Sequence, residues 1–134
     1  MELPPDVRFR EDLQLLIWSP RGVLNEAKVN QMLAFIAEEE ALSDASELRF
    51  IDTGGLFAID LNFKYVFHVS LYRRLTRADK RSLKTACFAN DKGFAHYFQL
   101  HAMMTEHSPL HVRVFHDRAE AAKWLGVPVD ALAP

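Results

Sequence analysis

Four short segments of the sequence carry the side chains that could do chemistry, and each follows an apolar run typical of a buried strand. The candidate ligand-binding residues in them are Arg21, Asp52, Thr53, Gly54, Gly55, Asn90, Asp91, Lys92, His116 and Arg118. Ligands of open α/β sheets bind outside the carboxyl ends of the strands, where helix N-termini present free N–H groups. The pattern therefore predicts a small polar pocket at that edge, in which Arg21, Lys92 or Arg118 meets a negative group.

Helix capping explains part of this pattern more simply. Aspartate is a favoured N-cap, so Asp60 and Asp117 would each accept a hydrogen bond from the first turn of a helix. The glycines would then serve turn geometry alone. We favour this interpretation over a ligand pocket, because capping accounts for each aspartate individually.

Acid–base catalysis is the third interpretation of the same edge. His116 stands beside Asp117 and could work with Asp52 or Asp91 as a proton-transferring pair. However, no Ser or Cys lies in a recognisable nucleophile motif, and Cys87 falls inside an apolar run typical of a buried strand. The sequence therefore favours a protein without catalytic residues, and a small enzyme built on His116 is the alternative.

The histidines do not form a metal-binding pattern. His96 and His101 lie five apart on a predicted helix, whereas ligands on one helix face are three or four apart. His111 and His116 are predicted on opposite faces of a strand. With one cysteine in the chain, we predict no metal site and no cofactor.

Length and charge limit the classes of protein to which the chain can belong. A chain of 134 residues with a formal net charge of -2 fits a single domain, residues 1–134, and has no global field that would attract nucleic acid. The single cysteine and the charged start MELPPDVRFRED predict a cytoplasmic protein. No apolar run reaches the roughly 18 residues that a membrane span requires.

Alternating strand and helix patterns must position these loops. Strands are predicted at 7–10, 13–19, 48–51, 83–89 and 110–115. Helices are predicted after Asn25, from Asp60 to Leu75, from Asn90 to about Glu106, and from Asp117 to Gly126. In the second helix Phe63, Phe67, Leu71 and Leu75 step by four, which predicts one buried stripe. The fold class is α/β, with a mostly parallel sheet of four to five strands built from successive βα units and covered by helices.

Two further sets of residues allow more than one interpretation. An acidic set (Glu38, Glu39, Glu40, Asp44 and Glu47) and a basic set (Arg73, Arg74, Arg77, Lys80, Arg81 and Lys84) end the first two helices, both at the amino ends of the strands. They are solvated helix ends or a docking surface, and with the exposed edge strand 110–115 they predict a homodimer. The aromatic residues Phe63, Tyr65, Phe67, Tyr72, Phe94, Tyr97 and Phe98 are core, or they line a groove for an apolar ligand.

Three segments resemble a known superfamily: FIDTGGLFAIDLNF at residues 50–63, TACFANDKGF at 85–94 and FHDRAEAAKWLGV at 115–127. They are similar to those of SpoIIAA-like (STAS) domains, particularly the stand-alone bacterial proteins. The resemblance implies a SpoIIAA-like fold over most of the chain. Some members of this superfamily are regulated by phosphorylation of a Ser or Thr in a D-S-S-G-L-like turn, so the resemblance raises the question of whether this chain is regulated in the same way.

This sequence departs from the family at that turn. Aligned through Asp60, the two Ser places are taken by Leu61 and Asn62, and no hydroxyl is available. Aligned through Asp52, Thr53 is kept but Gly54 replaces the acceptor. We therefore predict a non-enzymatic SpoIIAA-like domain that binds a protein partner or a small anionic or apolar ligand, without the phospho-switch. The alternatives are the small enzyme using His116 and a carrier of an apolar, lipid-like ligand.

Overall fold

The computed structural model describes residues 2–42 and 48–134, in which strands and helices largely alternate. The elements are β1 (Val7–Arg10), β2 (Leu15–Trp18), β3 (Gly22–Asn25), α1 (Glu26–Ala41), β4 (Leu48–Asp52), β5 (Leu56–Asp60), α2 (Phe63–Thr76), β6 (Leu83–Phe88), α3 (Lys92–Met104), β7 (Leu110–Phe115) and α4 (Arg118–Leu125). Two 3-10 turns, Glu11–Leu13 and Val129–Leu132, complete the described structure.

The main sheet has five strands in the order β1-β2-β4-β6-β7. Strands β2, β4, β6 and β7 are parallel, and β1 returns antiparallel on β2. Ile17 is opposite Phe50, and Phe50 is opposite Ala86, so the centre of the sheet is built of fully buried apolar residues. This confirms the mostly parallel α/β sheet and the short edge strand predicted from the sequence.

A second, two-stranded sheet was not predicted. Strands β3 and β5 pair in parallel, with Asn25 opposite Asp60 at their ends. The prediction that Asp60 caps the second helix is therefore wrong, because Asp60 is still part of a strand. The cap is Asn62, whose side-chain oxygen accepts a hydrogen bond of 2.7 Å from the backbone N–H of Tyr65. The predicted caps Asn25 and Asp117 are confirmed.

Helices cover both faces of the main sheet. On one face, Ala121 and Leu125 of α4 pack with Phe50 and its neighbours in the largest apolar cluster. On the other face, Met32 and Phe35 of α1 pack over β2, and Phe98 of α3 packs near the buried Cys87. Strand β6 is buried along nearly its whole length, as its lack of polar–apolar alternation predicted.

The predicted buried stripe of α2 is wrong. Phe63, Phe67, Leu71 and Leu75 lie on the outside of the helix, with exposed fractions from 38% for Leu71 to 66% for Leu75. The opposite face of α2 turns inward and carries the buried residues Val66, Ser70 and Arg73. A helix can turn only one face to the sheet. Here the inward face is the one on which Ser70 and Arg73 find partners, in His101 and Glu40.

Candidate functional site

At the carboxyl edge of the sheet, the structure brings Asp52, Gly54 and Arg118 together. Asp52 is buried, and both of its carboxylate oxygens accept hydrogen bonds from Nη2 of Arg118, at 3.0 and 2.9 Å. Oδ1 of Asp52 also accepts the backbone N–H of Gly54 at 2.8 Å. A Cβ at Gly54 would stand 2.9 Å from Nη2 of Arg118, so only glycine fits without a shift. The Arg118 guanidinium lies over the Phe88 ring, 4.2 Å from its centroid.

Two other predicted site residues bond to neighbouring backbone. The Thr53 hydroxyl donates to the carbonyl of Phe88 at 2.7 Å, and Nδ1 of His116 is 2.8 Å from the carbonyl oxygen of Ala89. These bonds hold the loops after β4 and β7 against β6. An acid–base pair would require His116 to contact a carboxylate. Its Nδ1 contacts a backbone carbonyl instead.

The remaining predicted residues of this edge are exposed. Asp91 caps α3 by accepting the backbone N–H of Phe94 at 3.0 Å, while Asn90 and Lys92 face solvent. Arg21 is exposed, with Nε 3.9 Å from Asp6, and it passes beside Gly55. Most of the polar groups that converge here therefore have partners within the fold, although Nε of Arg118 has none among the described residues. A ligand at this edge stays a prediction.

A cavity of about 140 Å³ lies between the sheet and helices α1, α2 and α3. Most of its lining is aliphatic or aromatic, and α2 passes over it with Tyr65, Val66 and Val69 turned inward. Its polar lining residues are Arg49, Arg73, Thr85 and His101. The space is thus an apolar chamber into which a few polar side chains reach.

A cluster of charged residues stands beside these polar lining residues, where α1 and α2 end. Glu40 accepts Nη1 of Arg73 at 2.8 Å and lies 2.9 Å from Nη1 of Arg77. Arg49 of β4 reaches Glu39 at 3.2 Å and Glu40 at 3.5 Å. Burial alone would raise the pKa of Glu40, but the hydrogen bond and charge of Arg73, together with the other two guanidiniums, hold that pKa below its usual value.

Two members of this cluster, Arg49 and Arg77, have an Nε without a hydrogen-bond partner among the described residues, and of the two only Arg49 lines the cavity. Arg49 is only 6% exposed. Burial also lowers the pKa of Arg49, since a guanidinium is costly to desolvate. A buried N–H donor without an acceptor costs free energy, so an acceptor placed in the cavity would be favourable here.

Ser70 and His101 form a buried pair at the same chamber. The Ser70 hydroxyl donates to the carbonyl of Val66 at 2.8 Å, and its oxygen is 2.7 Å from Nδ1 of His101. Because the hydroxyl has one proton, we infer that Nδ1 of His101 carries a hydrogen and donates it to Ser70. Burial and the nearby charge of Arg73 lower the pKa of His101 to about 4, so the imidazole is neutral at pH 7.

This arrangement does not provide an activated nucleophile. A serine nucleophile passes its proton to the histidine, whereas here the Ser70 proton is directed to a backbone carbonyl. Burial also raises the pKa of Cys87 to about 12, which keeps it a thiol at neutral pH. Within the described residues, no group of three or more metal-ligating side chains comes together. Neither Ser70 nor Cys87 is therefore activated for nucleophilic attack in this structure.

Sequence reasoning found part of this site and missed the rest. The acidic and basic sets were predicted at the same end of the strands, and Glu40 indeed meets Arg73 and Arg77 there. Asp44 and Glu47 of the acidic set lie outside the described residues. Arg49, Ser70 and His101 were missed, although an arginine inside the apolar strand Leu48–Asp52 is a signal that could have been followed.

In the described ranges, no helix combines the length and the apolar character that crossing a membrane requires.

Comparison with known proteins identifies the fold. No protein-family model and no curated protein sequence matches the chain. Among solved structures, it is similar to an uncharacterized protein of the DUF3478 family with a SpoIIAA-like fold from Shewanella loihica PV-4. The sequences are 18% identical, the match covers 89% of this chain and 90% of the other, and the TM-score is 0.54. The chain therefore has the SpoIIAA-like fold that its three sequence segments predicted.

Proposed function

We propose that this SpoIIAA-like domain binds a small, mainly apolar ligand with one anionic end in the cavity beneath α2, and that it does so without catalysis. The single observation that carries the proposal is the unpartnered Nε of Arg49 at an apolar chamber. The chamber offers apolar surface to the body of a ligand and one buried cationic donor to its end.

The size of the cavity limits the ligand. At about 140 Å³ the chamber is close to the engineered cavity of about 150 Å³ that holds benzene, and below the range of drug-sized sites. A single aromatic ring or a short alkyl chain fits this volume. A full-length fatty acyl chain would need the chamber to open further.

Charge favours a carboxylate over a neutral end group. Three guanidiniums meet two carboxylates among the described residues of the cluster, from Arg49, Arg73 and Arg77 and from Glu39 and Glu40. A hydrogen bond from a guanidinium to a carboxylate contributes about 1.5 to 3 kcal/mol, roughly twice a neutral one. His101 is neutral at pH 7 and adds no further positive charge, so the attraction rests on the arginines.

Titration calorimetry with matched probes tests the proposal. We expect benzoate and hexanoate to bind about tenfold more tightly than benzyl alcohol and hexanol, which corresponds to about 1.4 kcal/mol. Arg49→Lys keeps the charge but removes the Nε–H donor, so it should reduce the preference for carboxylates and leave the neutral probes unchanged.

A pair of variants on one helix provides the control. Val69→Phe places a ring inside the cavity and should abolish binding, whereas Leu71→Phe places the same ring on the exposed side of α2 and should not. Thermal melts of both variants check that they fold. The proposal is wrong if neither class of probe binds, or if Val69→Phe binds carboxylates as the original chain does.

A further inference from the structure

The outer face of α2 is apolar where a surface helix is usually polar. It consists of Phe63, Lys64, Phe67, His68, Leu71, Tyr72 and Leu75, all of them exposed. A helix of this kind normally turns its apolar face to the core and its polar face to water. Here the outer face is apolar, while Ser70, Arg73 and the following Arg77 are buried on the inner side.

These side chains form a continuous strip. Residues four apart are neighbours on a helix, so Phe63, Phe67, Leu71 and Leu75 follow one another over about 18 Å of its length. Single exposed apolar residues are normal on protein surfaces, but a contiguous apolar patch marks an interaction site. Phe63 also stacks on Tyr97 of α3, with ring centroids 4.9 Å apart, which holds the start of the strip in place.

The charge on this helix indicates which kind of partner covers its outer face. From Leu61 to Ala78 the sequence has no acidic residue, and Lys64 and His68 are on the outer face itself. The carboxylate of Glu40 compensates Arg73 and Arg77 on the inside, so it does not reach the outer face. A second copy of the chain would bring together two helices without acidic residues, each with Lys64 on its outer face, whereas an anionic surface would complement that lysine.

We propose that the outer face of α2 docks on the surface of an anionic lipid bilayer. Phe63, Phe67, Leu71 and Leu75 enter the boundary between headgroups and acyl chains, while Lys64 meets lipid phosphates. Helices of this composition, with aromatic and leucine side chains beside basic ones and little acid, lie in the plane of that boundary. This docking is independent of the ligand proposed above, because it uses the opposite face of the helix.

Vesicle co-sedimentation tests the docking. The chain should bind vesicles of phosphatidylcholine containing phosphatidylglycerol, and bind phosphatidylcholine vesicles much more weakly. The double variant Phe67→Ser with Leu71→Ser should lower binding at least about tenfold, because it removes apolar area that the bilayer would bury. Lys64→Glu should lower binding to the anionic vesicles by about fivefold or more.

Two controls keep the outcomes separate. Gln31→Ser changes an exposed residue of α1 and should bind vesicles unchanged, and Val69→Phe should also bind them because only the cavity is altered. The proposal is overturned if the anionic vesicles are not bound, or if the double variant binds them normally. It is also overturned if sedimentation shows a dimer that the double variant dissociates while no vesicles bind, since a second copy is then the occupant.

Discussion

The guanidinium of Arg73 on α2 donates to the carboxylate of Glu40 on α1, with Nη1 2.8 Å from Oε1. A weaker bond of 3.4 Å joins their other terminal atoms. Both side chains are largely buried, and the same carboxylate also faces Arg49 of β4. This contact ties the ends of two helices to the sheet and can form only with this face of α2 turned inward. The same orientation of α2 gives the cavity its lining and leaves the strip of the helix exposed.

Removing the charge of Glu40 should destabilise the protein strongly. Breaking a buried ion pair from one side typically costs about 3 to 5 kcal/mol, because the partner is left buried and uncompensated. We expect Glu40→Gln to cost this amount in urea unfolding. Glu38→Gln, at an exposed position of the same helix, should change the free energy of unfolding by less than about 0.5 kcal/mol. Equal effects of the two substitutions would contradict a structural role for the cluster.

The carboxyl edge should behave as a structural contact. In Asp52→Asn the remaining oxygen can still accept the Gly54 N–H, but the Arg118 charge loses its partner. Arg118 is partly exposed, so water offsets some of the loss, and we expect a cost of about 2 kcal/mol in unfolding experiments. Asp91→Asn keeps a good helix cap and should be nearly neutral. A stable Asp52→Asn protein would favour the predicted ligand pocket at this edge.

Stability should depend on pH through His101. Its pKa is lowered from 6.5 to about 4 in the folded protein, so the unfolded chain takes up a proton in that interval and the folded chain does not. The free energy of unfolding should therefore fall as pH drops from 6.5 to 4, by up to about 3 kcal/mol. Urea unfolding across this range measures it, and His101→Gln should flatten the dependence.

Glu40 acts in a different pH window. Its folded pKa lies below the usual 4.5, so its contribution is complete above that value and is lost only at lower pH. The two groups can therefore be separated within one titration. A dependence between pH 6.5 and 4 that persists in His101→Gln would show that another group is responsible.

Thr53 should not accept phosphate. Its side chain is buried, and its hydroxyl proton is directed to the carbonyl of Phe88 at 2.7 Å. A kinase would have to open the loop after β4 to reach it. Incubation with a serine kinase of the anti-sigma type, followed by mass spectrometry, should show no phosphate on Thr53. Stoichiometric phosphate at that residue would restore the regulation that the family resemblance implies.

The sequence alone determined most of the fold. The lack of alternation in residues 83–89 predicted a buried inner strand, and the alternation in residues 110–115 predicted an edge strand. Strands β6 and β7 occupy those places. Whether one or both faces of a strand are buried decides which of its side chains are apolar. The pattern can therefore be recognised in the sequence without knowing which strands lie beside it. Asn25 and Asp117 were likewise found as caps, since a cap depends on the next few residues only.

Only the tertiary structure decided which way α2 faces. Its sequence offers two faces that could be buried, one with Phe63, Phe67, Leu71 and Leu75, and one with Val66, Ser70 and Arg73. Apolar spacing favoured the first, but the second has Glu40 and His101 to bond with. Those partners are 31 and 33 residues away along the chain, so no local pattern shows them. The cavity, its unpartnered Arg49 and the exposed strip all follow from that choice.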